Sequence, residues 1–247
     1  MEIMGDRMDL HERILTASHK VEHPPSRPFV TLSYAQSLDG SIAAGKGERT
    51  QISGPESAKL THILRANHDA ILIGIGTLLV DDPQLTVRLV EGDHPRPVIL
   101  DSKLRTPIDS VLMQSYPPWI ATAEKADQAK AKKLTSLGAK LIYLPASQEG
   151  YLHLPALMES LYREGIKRLM VEGGARVLAS FLESQLVDFV VVTISPLILG
   201  GLPAVHFKNS LKSTDSKKDI PRLDKMNTGF AGEDLVVFGR PRWIVES

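Results

Sequence analysis

The chain has 247 residues, 43% hydrophobic and 23% charged, with 29 lysines and arginines balanced by 29 aspartates and glutamates. That is the composition of a globular domain without the basic excess of a nucleic-acid binder, and its zero net charge favours self-association. No cysteine occurs, which excludes disulfides, thiolate metal sites and the zinc signature of nucleotide-type deaminases. No metal site is expected.

No apolar run approaches the roughly 18 residues of a membrane-spanning helix, and residues 1–28 lack the apolar core of a secretory signal. A cytoplasmic protein without membrane contact is expected. Residues 8–20 have the pattern of a short helix, but Pro24, Pro25 and Pro28 break the regular pattern before Phe29, so 1–27 reads as an arm or a frayed leader. Residues 28–247 read as a single domain. Its first strand is expected at 29–35, and a helix at 54–67 opened by a capping box, with Ser53 at the N-cap and Glu56 at N3. Short apolar runs at 70–74, 98–101 and 119–122 have the look of strands buried on both faces. A polar-faced helix is expected at 124–137, stopped by Gly138, then a strand at 140–144 and a helix from 154 to near Gly165. A strand at 168–171, a helix at 175–184, a strand at 189–194 and a last strand from Asp234 to Val245 complete the series. The lysine-rich run 208–222 reads as a loop. Strands alternating with helices imply an α/β fold with a mostly parallel sheet, flanked by helices. The final strand comes after no clear helix and is expected to pair antiparallel at an edge.

Four constellations carry chemistry. In residues 37–48 a strand ends in an Asp39-Gly40 turn and passes Gly45 and Gly47; this suits either close backbone approach to a ligand or a plain hairpin tip. Residues 73–83 hold a Gly74-Ile-Gly76 pair, but Leu79 stands where the dinucleotide fingerprint needs its third glycine. The pair equally serves tight strand–helix packing, and Asp81 and Asp82 equally serve as turn caps. In Val171-Glu-Gly-Gly-Ala-Arg176 an apolar strand runs into two glycines and a helix. The free N–H groups of that helix start suit a pyrophosphate. Glu172, at the carboxyl end of the strand, faces where ligands bind in open α/β sheets. Arg49, Arg65 and Arg88 form the fourth set; their guanidinium forks match phosphate geometry.

In order, residues 29–40, Thr50-Gln-Ile-Ser53, Leu64-Arg65, Gly74-Ile-Gly-Thr77, Asp81-Asp-Pro-Gln-Leu-Thr86 and Val171-Glu-Gly-Gly174 resemble the reductase domain of riboflavin-biosynthesis deaminase–reductases and the free-standing diaminopyrimidine reductases. The resemblance implies a dihydrofolate-reductase-like fold, NADPH as cofactor, and hydride delivery to C1′ of a ribosylaminopyrimidine 5′-phosphate. It places cofactor contacts on Ala35, Thr77, Asp81, Ser102 and Gly173, and on 174–180, including Gly174, Ala175, Arg176, Val177 and Leu178. It places substrate contacts on Arg49, Arg65, Leu85, Arg88 and Glu172, with Glu172 and Asp81 as candidate catalytic groups. A homodimer is expected, with the strand 189–194 region and its neighbours near the interface. Many relatives carry lysine at the position of Ser33 and tryptophan at that of Gln51. The serine leans the substrate toward the 2,5-diamino compound, and the short leader suggests that no deaminase is attached. The competing readings are a pterin or folate reductase on the same fold, and a catalytically silent nucleotide-binding protein.

Overall fold

The computed structural model describes residues 8–207 and 221–243. The elements in chain order are α1 (Leu10–His19), β1 (Phe29–Ser37), β2 (Ser41–Ala43), α2 (Pro55–Ala66), β3 (Ala70–Gly74), α3 (Ile75–Asp81), β4 (Arg96–Leu100), α4 (Val111–Ser115), β5 (Trp119–Ala123), α5 (Gln128–Ser136), β6 (Lys140–Leu144), α6 (Leu154–Arg163), β7 (Arg168–Val171), α7 (Ala175–Glu183), β8 (Phe189–Ser195), β9 (Leu202–Pro203), β10 (Pro221–Ala231) and β11 (Asp234–Trp243).

Nine strands form one sheet in the order β10-β11-β8-β1-β7-β3-β4-β5-β6. From β8 to β6 every neighbouring pair is parallel. β11 joins β8 antiparallel, and β10 joins β11 antiparallel. The parallel sheet, flanking helices and antiparallel C-terminal strands expected of the fold class are present. Alternate residues of each strand feed two cores. One face carries Phe29, Met170, Phe189 and Phe238 under α1 and α2, and Ile71, Ile73 and Ile99 under α3 and α4. The other carries Val30, Leu72, Leu169 and Val190 under α6 and α7.

Several expectations change. Residues 10–19 are a packed helix rather than a frayed leader: Ile14 is 1% exposed, within the apolar cluster of Phe29, Leu60 and Phe238. Ser53 is not the cap of α2. Gly54 is the N-cap with Pro55 directly after it, where a fixed φ suits the first helical turn. The Gly54 N–H is taken by Asp234 Oδ2 at 2.8 Å, so tertiary contact supplies what the local box was expected to supply. The strand after the Asp39-Gly40 turn does not fold back as a hairpin on β1; β2 pairs with β9. β8 lies inside the sheet between β1 and β11 and is buried along most of its length. β11 is not the edge, because β10 covers it. Of the expected loop 208–222, residues 208–220 lie outside the described residues, whereas Pro221 and Arg222 open β10. Val245, the expected end of the last strand, also lies outside them.

Candidate active site at the carboxyl edge of the sheet

The sheet reverses its winding at β7 and β3. From β3 the chain leaves through α3 toward β4; from β7 it leaves through α7 toward β8, on the opposite face. Such a switch point opens a crevice outside the carboxyl ends of the strands, where open α/β sheets bind ligands. Gly74 and Gly174 flank it. A Cβ on Gly74 would lie 2.8 Å from Val177 Cγ2, so Gly74 lets α7 approach β3. The packing role of this glycine is therefore real, whereas a Cβ on Gly76 would meet nothing. Gly173 is tighter, its hypothetical Cβ falling 2.4 Å from Val177 Cβ. Gly174 is the N-cap of α7, no side chain caps this helix, and its absent Cβ faces Thr77 Oγ1 at 3.3 Å. An uncapped helix start, with unsatisfied N–H groups and the positive end of the helix dipole, is an anion site.

The expected cofactor residues partly converge here. Thr77 abuts Gly174, and Asp81 lies one turn further along α3. Burial raises the Asp81 pKa, while the Arg49 charge pulls it down. Ala35 sits at the carboxyl end of β1, opposite Thr193 of β8. Ser102 comes just after β4 in a turn that Asp101 closes, accepting from the Thr106 N–H at 2.7 Å and its hydroxyl at 2.8 Å. Leu104 plugs that turn into the core, leaving Lys103 and Arg105 exposed. Ala175 and Arg176 open the first turn of α7, Arg176 exposed, but Val177 and Leu178 point into the core at 8% and 0% exposure. Only their backbone can face a ligand.

The expected substrate residues form a second group on the α2 side. Glu172 continues β7, its N–H bound to Leu72 O. Arg65 grips it with both ends of the fork, Nε to Oε1 at 2.8 Å and Nη2 to Oε2 at 2.7 Å. Burial opposes the Arg65 charge, yet attraction and hydrogen bonding from Glu172 more than offset it, so the guanidinium is held more firmly protonated than usual. Arg65 was expected to clamp phosphate; in the structure its fork engages Glu172, and its Nη1 donates to Thr86 O at 3.2 Å. Arg88 is exposed, with Nη1 donating to Thr86 Oγ1 at 2.7 Å. Leu85 turns its side chain into the core. It is 3% exposed in the cluster of Ile71, Ile99 and Leu112, at a left-handed φ of 54°, because the chain must turn sharply after α3. Ser33 is buried on β1, directly after Leu32, whose register partner Val171 directly precedes Glu172.

Sequence reasoning missed His62. It lies one turn before Arg65 on α2, 5% exposed, and its Nδ1 accepts the Arg88 backbone N–H at 2.8 Å. Its only signal was a polar residue at helical spacing from Arg65, adjoining the buried stripe of Leu60 and Leu64.

The RibD C-terminal domain family matches residues 28–237. The chain belongs to this family. A 2,5-diamino-6-ribosylamino-4(3H)-pyrimidinone 5′-phosphate reductase from Methanothermobacter thermautotrophicus is 39% identical to this RibD C-terminal domain protein over 215 residues, 85% of this chain and 97% of the relative. One of the same name from Eremothecium gossypii is 40% identical over 231 residues, 86% and 88% of the two chains. Among solved structures, the Saccharomyces cerevisiae riboflavin biosynthesis reductase Rib7 superposes with a TM-score of 0.72 at 27% identity, covering 93% of this chain and 98% of that one.

Proposed function

We propose that this protein is the NADPH-dependent reductase of riboflavin biosynthesis that converts a ribosylaminopyrimidine 5′-phosphate to the ribitylamino 5′-phosphate, with the 2,5-diamino compound as preferred substrate. The observation that carries the reading is the pairing of two distinct polar centres on one edge of the sheet. One is the uncapped start of α7 beside Thr77. The other is the Arg65–Glu172 pair with Arg88 close by. The names of the Methanothermobacter and Eremothecium relatives, and serine rather than lysine at Ser33, support the choice of substrate.

The chain's own residues fit the cofactor. The bare Gly173-Gly174 entry to α7 suits a pyrophosphate, which a Cβ or a carboxylate would disturb. Lys103 and Arg105, held outward by the turn that Asp101 closes, suit the additional 2′-phosphate. When bound, NADPH supplies the hydride for C1′. Arg88, with donors beyond its Thr86 contact, binds the ribose 5′-phosphate, assisted by Arg49. Arg65 holds Glu172 with both oxygens fixed, so that their remaining lone pairs accept from the polar part of the substrate. The reduction also consumes a proton. Asp81, pushed toward its protonated form by burial, is the candidate donor.

The protein is expected to act in the cytoplasm; no helix among the described residues is long and apolar enough to cross a membrane. A homodimer is the expected assembly. Its surface is the neighbourhood of β8, with the exposed β10, whose Met226 and Phe230 are 61% and 69% exposed, as the accessible strand. The deciding experiment is oxidation of NADPH and NADH, side by side, with the 2,5-diamino and 5-amino-uracil substrates. Turnover highest with NADPH and the diamino compound is the expected result. Equal rates with both cofactors, or turnover of a pterin or folate alone, defeats the proposal.

A further inference from the structure

The segment Thr86-Val87-Arg88 belongs to no helix or strand, yet each residue is held by a side chain from elsewhere. Thr86 O accepts from Arg65 Nη1 at 3.2 Å. The Val87 N–H donates to His94 Nδ1 at 3.4 Å. The Arg88 N–H donates to His62 Nδ1 at 2.8 Å. Two of these three holders, His62 and Arg65, stand one turn apart on α2, so this helix sets the course of the segment. Leu85, buried just before it at positive φ, fixes the other end.

A backbone N–H can donate only to an unprotonated ring nitrogen. His62 Nδ1 therefore carries no proton, and the neutral ring keeps its proton on Nε2. The surroundings enforce this state. Burial first, then the Arg65 and Arg88 charges, hold the His62 pKa down to about 4, against a smaller upward pull from Glu172. Protonation would set an N–H against the Arg88 N–H between two guanidinium groups, so the tie fails only in acid, as pH falls through that value.

We propose that His62 is a positioning residue of the site: its Nδ1 pins the Arg88 backbone to α2 and so aims the Arg88 guanidinium at the substrate phosphate. The aiming role rests on the reading of Arg88 as a phosphate ligand; the pinning does not. A histidine here, rather than an apolar residue on the buried stripe, is explained by the need for one acceptor at that spot.

The test compares His62→Ala with His62→Asn, whose side-chain oxygen branches from the same carbon position as the ring Nδ1. Arg88 amide hydrogen exchange is measured by NMR, and kcat and KM are measured with the phosphorylated substrate. His62→Ala is expected to speed Arg88 exchange and to raise KM, each about tenfold, as loss of one buried hydrogen bond implies. Its kcat and its NADPH dissociation constant stay near wild type. His62→Asn restores both exchange and KM to within about threefold. Unaltered Arg88 exchange in His62→Ala, or no rescue by asparagine, overturns the pinning. Arg88→Ala separates the two layers. If it leaves KM unchanged, the phosphate reading has failed; if it raises KM while His62→Ala does not, the positioning role has failed.

Discussion

The two ends of the parallel strands carry nearly the same side chains and use them differently. At the carboxyl edge stand Arg65, Glu172 and His62; at the amino edge stand Arg168, Asp69 and His68. Asp69 accepts the backbone N–H groups of Lys167 and Arg168 at 2.7 and 2.8 Å. His68 is used on both nitrogens, by Leu64 O at 2.6 Å and Thr31 Oγ1 at 2.8 Å. Arg168 reaches Ser18 Oγ at 3.2 Å and His23 Nε2 at 3.3 Å, and lies over the Phe29 ring. Asp69 and His68 fasten α2 and the starts of β3 and β7 to the sheet, and Arg168 fastens the α1 region onto it. At the carboxyl edge the same chemistry fastens an irregular segment, and the exposed Arg88 ends it. Residue type alone does not separate a seam from a site; what the groups hold does.

The comparison can be broken at either end. The largest effect is expected from Gly174→Asp, which sets a carboxylate among the N–H groups of α7. NADPH affinity falls more than about 100-fold by fluorescence titration, while the circular dichroism spectrum is kept. Unchanged affinity in the folded variant removes the cofactor from that edge.

Glu172→Ala leaves Arg65 charged and largely buried, the pair's side chains being 12% and 17% exposed. A stability loss of about 3 kcal/mol in urea unfolding is expected, together with loss of turnover. A loss of turnover alone means that Arg65 finds another partner.

The amino edge, like the carboxyl edge with His62, answers to pH. Burial chiefly, with the Arg168 charge, lowers the His68 pKa from 6.5 to about 4, against the pull of its bond to Leu64 O. The folded state thus holds fewer protons than the unfolded state between these values. Stability from the neutral ring is full above about pH 6.5 and declines as pH falls toward 4, by on the order of 3 kcal/mol. Urea midpoints at pH 7 and 4.5 should differ in the wild type and by a smaller amount in His68→Asn, where the His62 contribution remains. Equal slopes in both proteins refute the assignment.

Arg168→Ala should cost the least, about 1–2 kcal/mol from lost hydrogen bonds and the ring contact. KM and the NADPH dissociation constant should not move. A rise in either would couple the two edges.

Legibility tracked burial. β3 and β7 stand where the apolar runs put them, because a strand covered on both faces has little but apolar positions to show. β10 gave no such signal. It opens with proline, contains Gly229, is exposed over most of its length and slips register between Asp224 and Asn227. Those are devices of an edge strand, and they look like loop in a sequence. α3 hid inside the apolar run of β3, with no capping residue between them. At the site, the glycines and the charged residues were legible by type, but their pairing was not. That Arg65 grips Glu172 across 107 positions, and that His62 faces the Arg88 backbone, are facts of tertiary contact. For Leu85, its place in the motif says nothing about the direction of its side chain.

The position of β7 governs how the molecule assembles. β1 and β3 are not paired; the four residues of β7 lie between them in the sheet, although β3 to β6 precede it in the chain. A nascent chain that stops short of residue 168 can pair β3 with β4, β5 and β6, but it has no way to join β1 to them. Closure waits for a central strand that arrives late, and contacts of such long sequence separation form slowly. The crevice between Gly74 and Gly174 comes into being only at that closure. A dinucleotide added during refolding should therefore register the last event and no earlier one, and its binding energy then stabilises the whole sheet rather than one half of it.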